Sequence, residues 1–156
     1  MILSNAESRA ANLSYVLSEY VRGSFALADT SLRQLAIHAR RVGGPNAPAE
    51  AWDAMLSSAK AAVPGGGSLS VTDANGIIRR ATVPIVGQSR SDYYLFKQLA
   101  ALDRDELVVD RPFVSSLARD RILIPIGRRL VDGKGRFAGT VVAAVMPEAF
   151  RVLPHG

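Results

Sequence analysis

The 156-residue chain predicts an α+β domain, with a long N-terminal helix packed on a five-stranded, mostly antiparallel sheet. Three observations predict it. Apolar residues recur at spacings of three and four through the first third of the chain. From Ser68 the apolar period changes to two. Two turns of the form Asp-x-x-Gly, Asp73-Ala-Asn-Gly76 and Asp132-Gly-Lys-Gly135, each join a pair of period-two runs. The length suits one domain, 1–156, and 48% hydrophobic against 21% charged residues is a globular balance that excludes a disordered or fibrous chain.

The elements follow in order. Leu17, Val21, Ser24, Ala28, Leu32, Leu35 and Ala39 mark a helix over 7–42, widened by Leu13, Val16, Tyr20 and Leu27. At 1.5 Å per residue it spans roughly 50 Å, more than a small sheet needs to be covered. Gly43-Gly44-Pro45 stops it. A short second helix follows Pro48, with Trp52, Met55, Leu56 and Ala59 as its apolar face, and Pro64-Gly-Gly-Gly67 ends it. Leu69 and Val71, then Ile77 and Ile78, form the first hairpin around Gly76. A loop over 84–91 leads to a helix over 92–102, in which Leu95, Phe96, Leu99 and Leu102 face inward and Asp92 favours the start. A strand at 107–109 ends at Arg111-Pro112. The runs 121–131 and 137–146 make the second hairpin, and Pro147 begins a short terminal helix carrying Phe150 and Val152.

Composition removes several function classes. There is no cysteine, so disulfide scaffolds, thiolate metal sites and thiol nucleophiles are out. Only His38 and His155 are available as imidazoles, so no metal and no other cofactor is expected. No phosphate loop of the Gly-x-x-x-x-Gly-Lys type occurs, and the glycines at 65–67 lead into a strand rather than a helix. The net charge of +5 comes from scattered arginines without a basic stripe interleaved with aromatics, so no nucleic-acid partner is expected. The longest apolar run, 137–146, is about half of the roughly 20 residues of a membrane-spanning helix.

The two Asp-x-x-Gly segments read on their own as hairpin turns. An EF-hand reading fails, because neither carries the further oxygen ligands or the closing glutamate. Their surroundings add to this. Leu69-Ser-Val-Thr-Asp-Ala-Asn-Gly-Ile-Ile, then Ser91-Asp-Tyr-Tyr, then Ile124-Pro-Ile-Gly-Arg-Arg-Leu-Val-Asp-Gly-Lys-Gly-Arg-Phe-Ala-Gly139, taken in that order, resemble the extracytoplasmic PAS-like sensor domains called PDC or Cache domains. The resemblance covers about 69–150, and the long helix before it is similar to the one that rises from the first membrane span in such receptors. It implies a PAS-like core at 68–150 and a periplasmic place between two flanking membrane helices. It also implies a histidine kinase, diguanylate cyclase or chemoreceptor output module elsewhere in the full-length protein, and a small ligand, often an amino acid or carboxylate, held beside the sheet. The family's arginine-x-aromatic-aromatic pattern falls on Ser91-Asp92-Tyr93-Tyr94, with serine at the arginine position and Arg90 one residue earlier as its candidate substitute. That departure counts against an amino-acid ligand of the usual type.

Six residues are candidate ligand contacts. Period two places Arg128 with Ile122, Ile124 and Ile126 on the core face, where a guanidinium needs a partner. Two readings stay open for it: an ion pair to an internal Asp or Glu, or a fork on a ligand carboxylate. Tyr93 and Tyr94 point about 100° apart on a helix, so one is expected in the pocket and the other packed. Arg90 stands in for the missing arginine. Arg111 sits at a strand end, either solvated or on the pocket rim, with the solvated reading favoured, and Asp110 is its partner or the acceptor for a ligand amine. The pocket is expected between the Arg128 face of the sheet and 90–94.

The resulting expectation is a ligand-sensing input domain of a membrane receptor, not itself an enzyme, that dimerises through the N-terminal half of its first helix. A cytoplasmic PAS- or GAF-like dimerisation module without a ligand is the alternative.

Overall fold

The computed structural model describes residues 5–115 and 121–146, and of 5–18, 20 and 21 the backbone only. The first helix, α1 (Asn5–Val42), runs unbroken for 38 residues, about 57 Å at 1.5 Å per residue. Its buried stripe is Ser24, Ala28, Ser31, Leu32, Leu35 and Ala39, the three-and-four spacing that puts one helix face on a core. The amides of Gly43 and Gly44 both donate to the Ala39 carbonyl and close the last turn. Arg40 and Arg41 lie in that turn, where the helix dipole favours cations. The second helix, α2 (Ala49–Ala61), buries Trp52, Leu56 and Ala59 against α1. The Trp52 indole donates to the Gly44 carbonyl at 3.2 Å, and the His38 ring meets Trp52 edge-on at 5.1 Å.

The sheet contains β1 (Ser68–Asp73), β2 (Ile78–Ala81), β3 (Val108–Val109), β4 (Phe113–Ser115), β5 (Arg121–Val131) and β6 (Phe137–Val145), with a third helix, α3 (Tyr94–Ala101), between β2 and β3. The strand order is β2-β1-β6-β5-β3, and β4 pairs with β5 further along the same edge. Each of these pairings is antiparallel.

This sheet is covered on both faces. Leu69 and Val71 of β1, Ile124, Ile126 and Leu130 of β5, and Val141, Ala143 and Val145 of β6 share one core with the α1 and α2 stripes. The alternate residues, Ser68, Ser70, Thr72, Thr140, Val142 and Ala144, turn to the opposite side. There α3 packs through Leu95 and Leu99, and the Leu99 side chain lies directly over Gly127.

The expected fold class is found, with two differences in the elements. A sixth strand, β4, lies where the chain reads as ended at Arg111-Pro112; it is three residues long with Phe113 and Val114 exposed, so no alternation announces it. The third helix begins at Tyr94 rather than Asp92, because Tyr93 is extended and takes the cap position. The terminal helix expected from Pro147 with Phe150 and Val152, and the side chains of Leu13, Val16, Leu17 and Tyr20, fall outside the described residues.

Candidate ligand-binding site

A cavity of about 390 Å³ opens on the sheet face away from α1, near the lower end of the roughly 300–1,000 Å³ common for small-molecule sites. Its floor is the polar phase of β1, Ser68, Ser70 and Thr72, with Thr140, Val142 and Ala144 directly across on β6. Leu95 and Phe96 of α3 form one wall. Pro125 and Phe113 form another, with Asp110 and Arg111 at the turn between β3 and β4. Arg90, Tyr93 and Ile85, from the segment before α3, close the rim.

The first hairpin holds that rim segment. Asp73 Oδ1 accepts from the amides of Asn75 (2.9 Å) and Ile77 (3.1 Å), and Gly76 takes φ +84, the left-handed region glycine enters without a Cβ penalty. The Gly76 carbonyl then accepts from the Arg90 amide at 2.7 Å, and a Cβ on Gly76 would come within 2.9 Å of the Ser91 backbone. Ile78 also exchanges backbone bonds with Gly87 and Gln88. The second hairpin repeats the turn: Asp132 Oδ1 accepts from Lys134 and Arg136 amides, and Gly135 takes φ +77. The repeated motif is thus one turn used twice, and one copy positions the pocket rim.

Four of the six candidate residues line the cavity. Arg90 lies 4.7 Å above the Tyr93 ring centroid, a cation–π contact worth about 0.5–1 kcal/mol at an exposed site. Its Nη1 donates to Gln88 Oε1 at 3.1 Å, while Nε and Nη2 have no partner among the described residues. The Asp110 amide donates to the Pro125 carbonyl, and Asp110 Oδ1 accepts the Arg111 amide at 2.6 Å. The Arg111 guanidinium has no partner among the described residues. Of the paired tyrosines, Tyr93 lines the cavity and Tyr94 does not; Tyr94 is exposed rather than packed.

Arg128 is the correction. Its side chain, 7% exposed, projects from the α1 face of β5, not toward 90–94. Nε and Nη2 donate to the two oxygens of Asp29 on α1, at 2.5 and 3.0 Å, and Nη1 donates to Asp105 at 2.8 Å. Asp29 also receives Arg33 one turn on, at 3.2 Å. The bond to Asp29 outweighs desolvation and holds the guanidinium well above the ordinary arginine pKa. The phase that puts Arg128 inward is as expected, but inward means toward α1, because the cavity occupies the other covered face. A larger open groove of about 640 Å³ runs along this side, past Arg33, Arg104 and Arg128. Those arginines are already paired, with Asp29, with Asp103 and Glu106, and with Asp29 and Asp105. Arg40 and Arg129 also line this groove and have no hydrogen-bond or ion partner among the described residues, so unengaged arginines border both cavities.

Sequence reasoning missed the floor. Ser68, Ser70 and Thr72 alternate with Leu69 and Val71, which is also the pattern of a strand with one wet face. Among the described residues, no group of three His, Asp or Glu side chains could hold a metal ion, and no helix is long and apolar enough to cross a membrane.

The sequence matches no protein-family model and no curated protein. Among solved structures it is similar to the extracellular domain of a candidate histidine kinase, rpHK1S-Z16, at 26% identity and a TM-score of 0.73 over 93% of this chain. The chain has the fold of the PDC/Cache-like sensor domains. The same sensor fold is seen in the ligand-binding domain of the Pseudomonas aeruginosa amino acid chemoreceptor PctC in complex with GABA, at 15% identity and TM-score 0.66 over 94% of this chain. It is seen again in the sensor domain of the Vibrio cholerae histidine kinase DctB, at 9% identity and TM-score 0.51 over 92%. The chain spans 60%, 62% and 54% of these structures, in that order.

Proposed function

We propose that the chain is a single ligand-sensing domain, 1–156, of a bacterial transmembrane receptor, lying in the periplasm between flanking membrane helices. It binds a small carboxylate or amino acid and does no chemistry of its own. The observation that carries this reading is the cavity on the sheet, with the unengaged nitrogens of Arg90 at its rim. A buried carboxylate there would take a charge-assisted fork while its body rests on Val142, Phe96 and Phe113. The complexes of similar structures with GABA and with asparagine support a small, charged ligand.

Signalling would be a population shift. The wall helix α3 leads into Asp105, Asp105 bonds Arg128 on β5, and Arg128 bonds Asp29 on α1. A ligand that favours one position of α3 therefore biases α1, the helix that approaches the membrane. The output module, kinase, cyclase or chemoreceptor, lies outside this chain. We further propose that two chains pair through α1, through the N-terminal surface of Leu13, Val16, Leu17 and Tyr20. Leu27 and Ile37, 59% and 55% exposed, are further apolar side chains that α1 leaves uncovered.

The test is a thermal-shift screen of the chain against amino acids and small organic acids. A ligand at 100 times its Kd stabilises the fold by about 2.7 kcal/mol. At least one compound should raise Tm, and Arg90→Ala should abolish that rise. A screen without any shift, or a shift that survives Arg90→Ala, rejects the reading.

A further inference from the structure

The floor of the cavity contains a hydroxyl count that does not close. Thr72 on β1 and Thr140 on β6 are directly opposed, each 1% exposed, and both line the cavity. Their hydroxyl oxygens are 2.7 Å apart, and Thr72 Oγ1 also accepts the Thr140 amide at 3.2 Å. The pair owns two hydroxyl hydrogens and the bond between them engages one. The second has no acceptor among the described residues, whichever threonine keeps it. A buried donor left unpaired costs about 1–3 kcal/mol, so it calls for an acceptor from the cavity.

The rest of the lining points the same way. Arg90 and Arg111 offer unengaged cationic donors, and Ser68 and Ser70 add hydroxyls. Asp110 is the single anionic group in the lining, and one of its oxygens already accepts the Arg111 amide. The cavity is therefore rich in donors and positive on balance: two arginines face one aspartate, whose Oδ2 is the one carboxylate oxygen left to accept from an ammonium group.

We infer that the cavity selects a short carboxylic acid carrying a second acceptor oxygen, as a hydroxyl, an oxo group or a second carboxylate. Arg90 holds the carboxylate at the rim, and the Thr72–Thr140 pair donates to the second oxygen at the floor. This rests on the proposed ligand-sensing role and adds the specificity-determining residues and the ligand class.

The experiment is isothermal titration of the chain with matched probes that differ at one group. L-lactate is set against propionate and L-alanine, 3-hydroxybutyrate against butyrate, and succinate against butyrate and 4-aminobutyrate. At least one oxygen-bearing acid should bind about tenfold or more tightly than both its parent acid and its amino counterpart, since a site built to donate rejects a ligand that leaves the donor unpaired. Thr140→Val should keep that preference, because Thr72 still owns one hydroxyl hydrogen. Thr72→Val with Thr140→Val should collapse it to within about twofold of the parent acid measured on the same variant.

Parent acids that bind the wild-type chain as tightly as their oxygenated partners, and lose affinity in Arg90→Ala, would overturn the inference while leaving the pocket reading standing. Tighter binding of the amino counterparts would overturn it as well. No binding by any probe, together with no shift in the wider screen, would remove both. The comparison of probes on the wild-type chain decides even where the double variant does not fold.

Discussion

Arg128 and Arg90 show how far one residue type depends on where it lies. Arg128 is enclosed between β5 and α1 with three donated bonds to two carboxylates, whereas Arg90 lies at a cavity mouth with two nitrogens unengaged. Removing one partner of a buried pair strands the other, so Asp29→Ala should destabilise the chain by about 3–5 kcal/mol in urea unfolding. Asp105, 73% exposed, belongs to the screened class, and Asp105→Ala should cost no more than about 1 kcal/mol. Replacing both buried partners, Arg128→Met with Asp29→Leu, should return stability close to wild type. Equal losses for Asp29→Ala and Asp105→Ala would contradict this ranking. The carboxyl of Asp132 is held below its usual range, first by the Arg136 amide and next by that of Lys134. Folding therefore favours its charged form. Its contribution is complete above the unfolded value of about 3.9 and is lost as pH falls through the lower folded value. A carbon-detected NMR titration should place the Asp132 midpoint below that of an unstructured aspartate, and Asp132→Asn should flatten the acid limb of the stability curve.

At the scale of elements, the two hairpins are the same device under different loads. Gly76 and Gly135 share a positive φ, but a Cβ at Gly135 meets nothing within 4 Å, while one at Gly76 meets the Ser91 backbone. Gly135→Ala should therefore cost about 1 kcal/mol, for the left-handed conformation alone. Gly76→Ala should cost more and should also weaken ligand binding, since Ser91 adjoins Arg90. Chemical denaturation ranks the two stabilities and titration reads the affinity; equal effects on both would show that the rim does not depend on this turn. Both turns were legible from Asp-x-x-Gly between apolar runs. Strand β4 was not, because three residues with two exposed apolar side chains carry no period. Its pairing with β5 is what makes it a strand.

For the whole molecule, the sheet is a shared wall. One face holds α1 and α2, the other holds α3 and the cavity, and β1, β5 and β6 contribute alternate residues to both. The length of α1 leaves surface beyond that wall, and the proposed dimer uses it. In sedimentation equilibrium the wild-type chain should move toward dimer as concentration rises into the high micromolar range. Leu13→Asp with Leu17→Asp should stay monomeric with an unchanged circular dichroism spectrum. A wild-type chain that remains monomeric throughout, or a variant that dimerises equally, would show that α1 does not pair two chains.

The sequence by itself determined what depends on neighbours along the chain: the length and buried stripe of α1, the two Asp-x-x-Gly hairpins, and the inward phase of Arg128. Local spacing and backbone preference suffice for these, because helix and strand periods are set within a few residues. It also placed Arg90, Tyr93, Asp110 and Arg111 among six candidates, and the fold brings these four to one cavity. Only the tertiary structure decided which covered face each phase of the sheet meets. That assignment sent Arg128 to Asp29, 99 residues away in the chain, and set Thr72 against Thr140, 68 residues away. Contacts of that separation depend on how β1, β5 and β6 are ordered and on which side α1 packs. Alternation along a single strand is the same whether its second face meets water, a helix or a ligand.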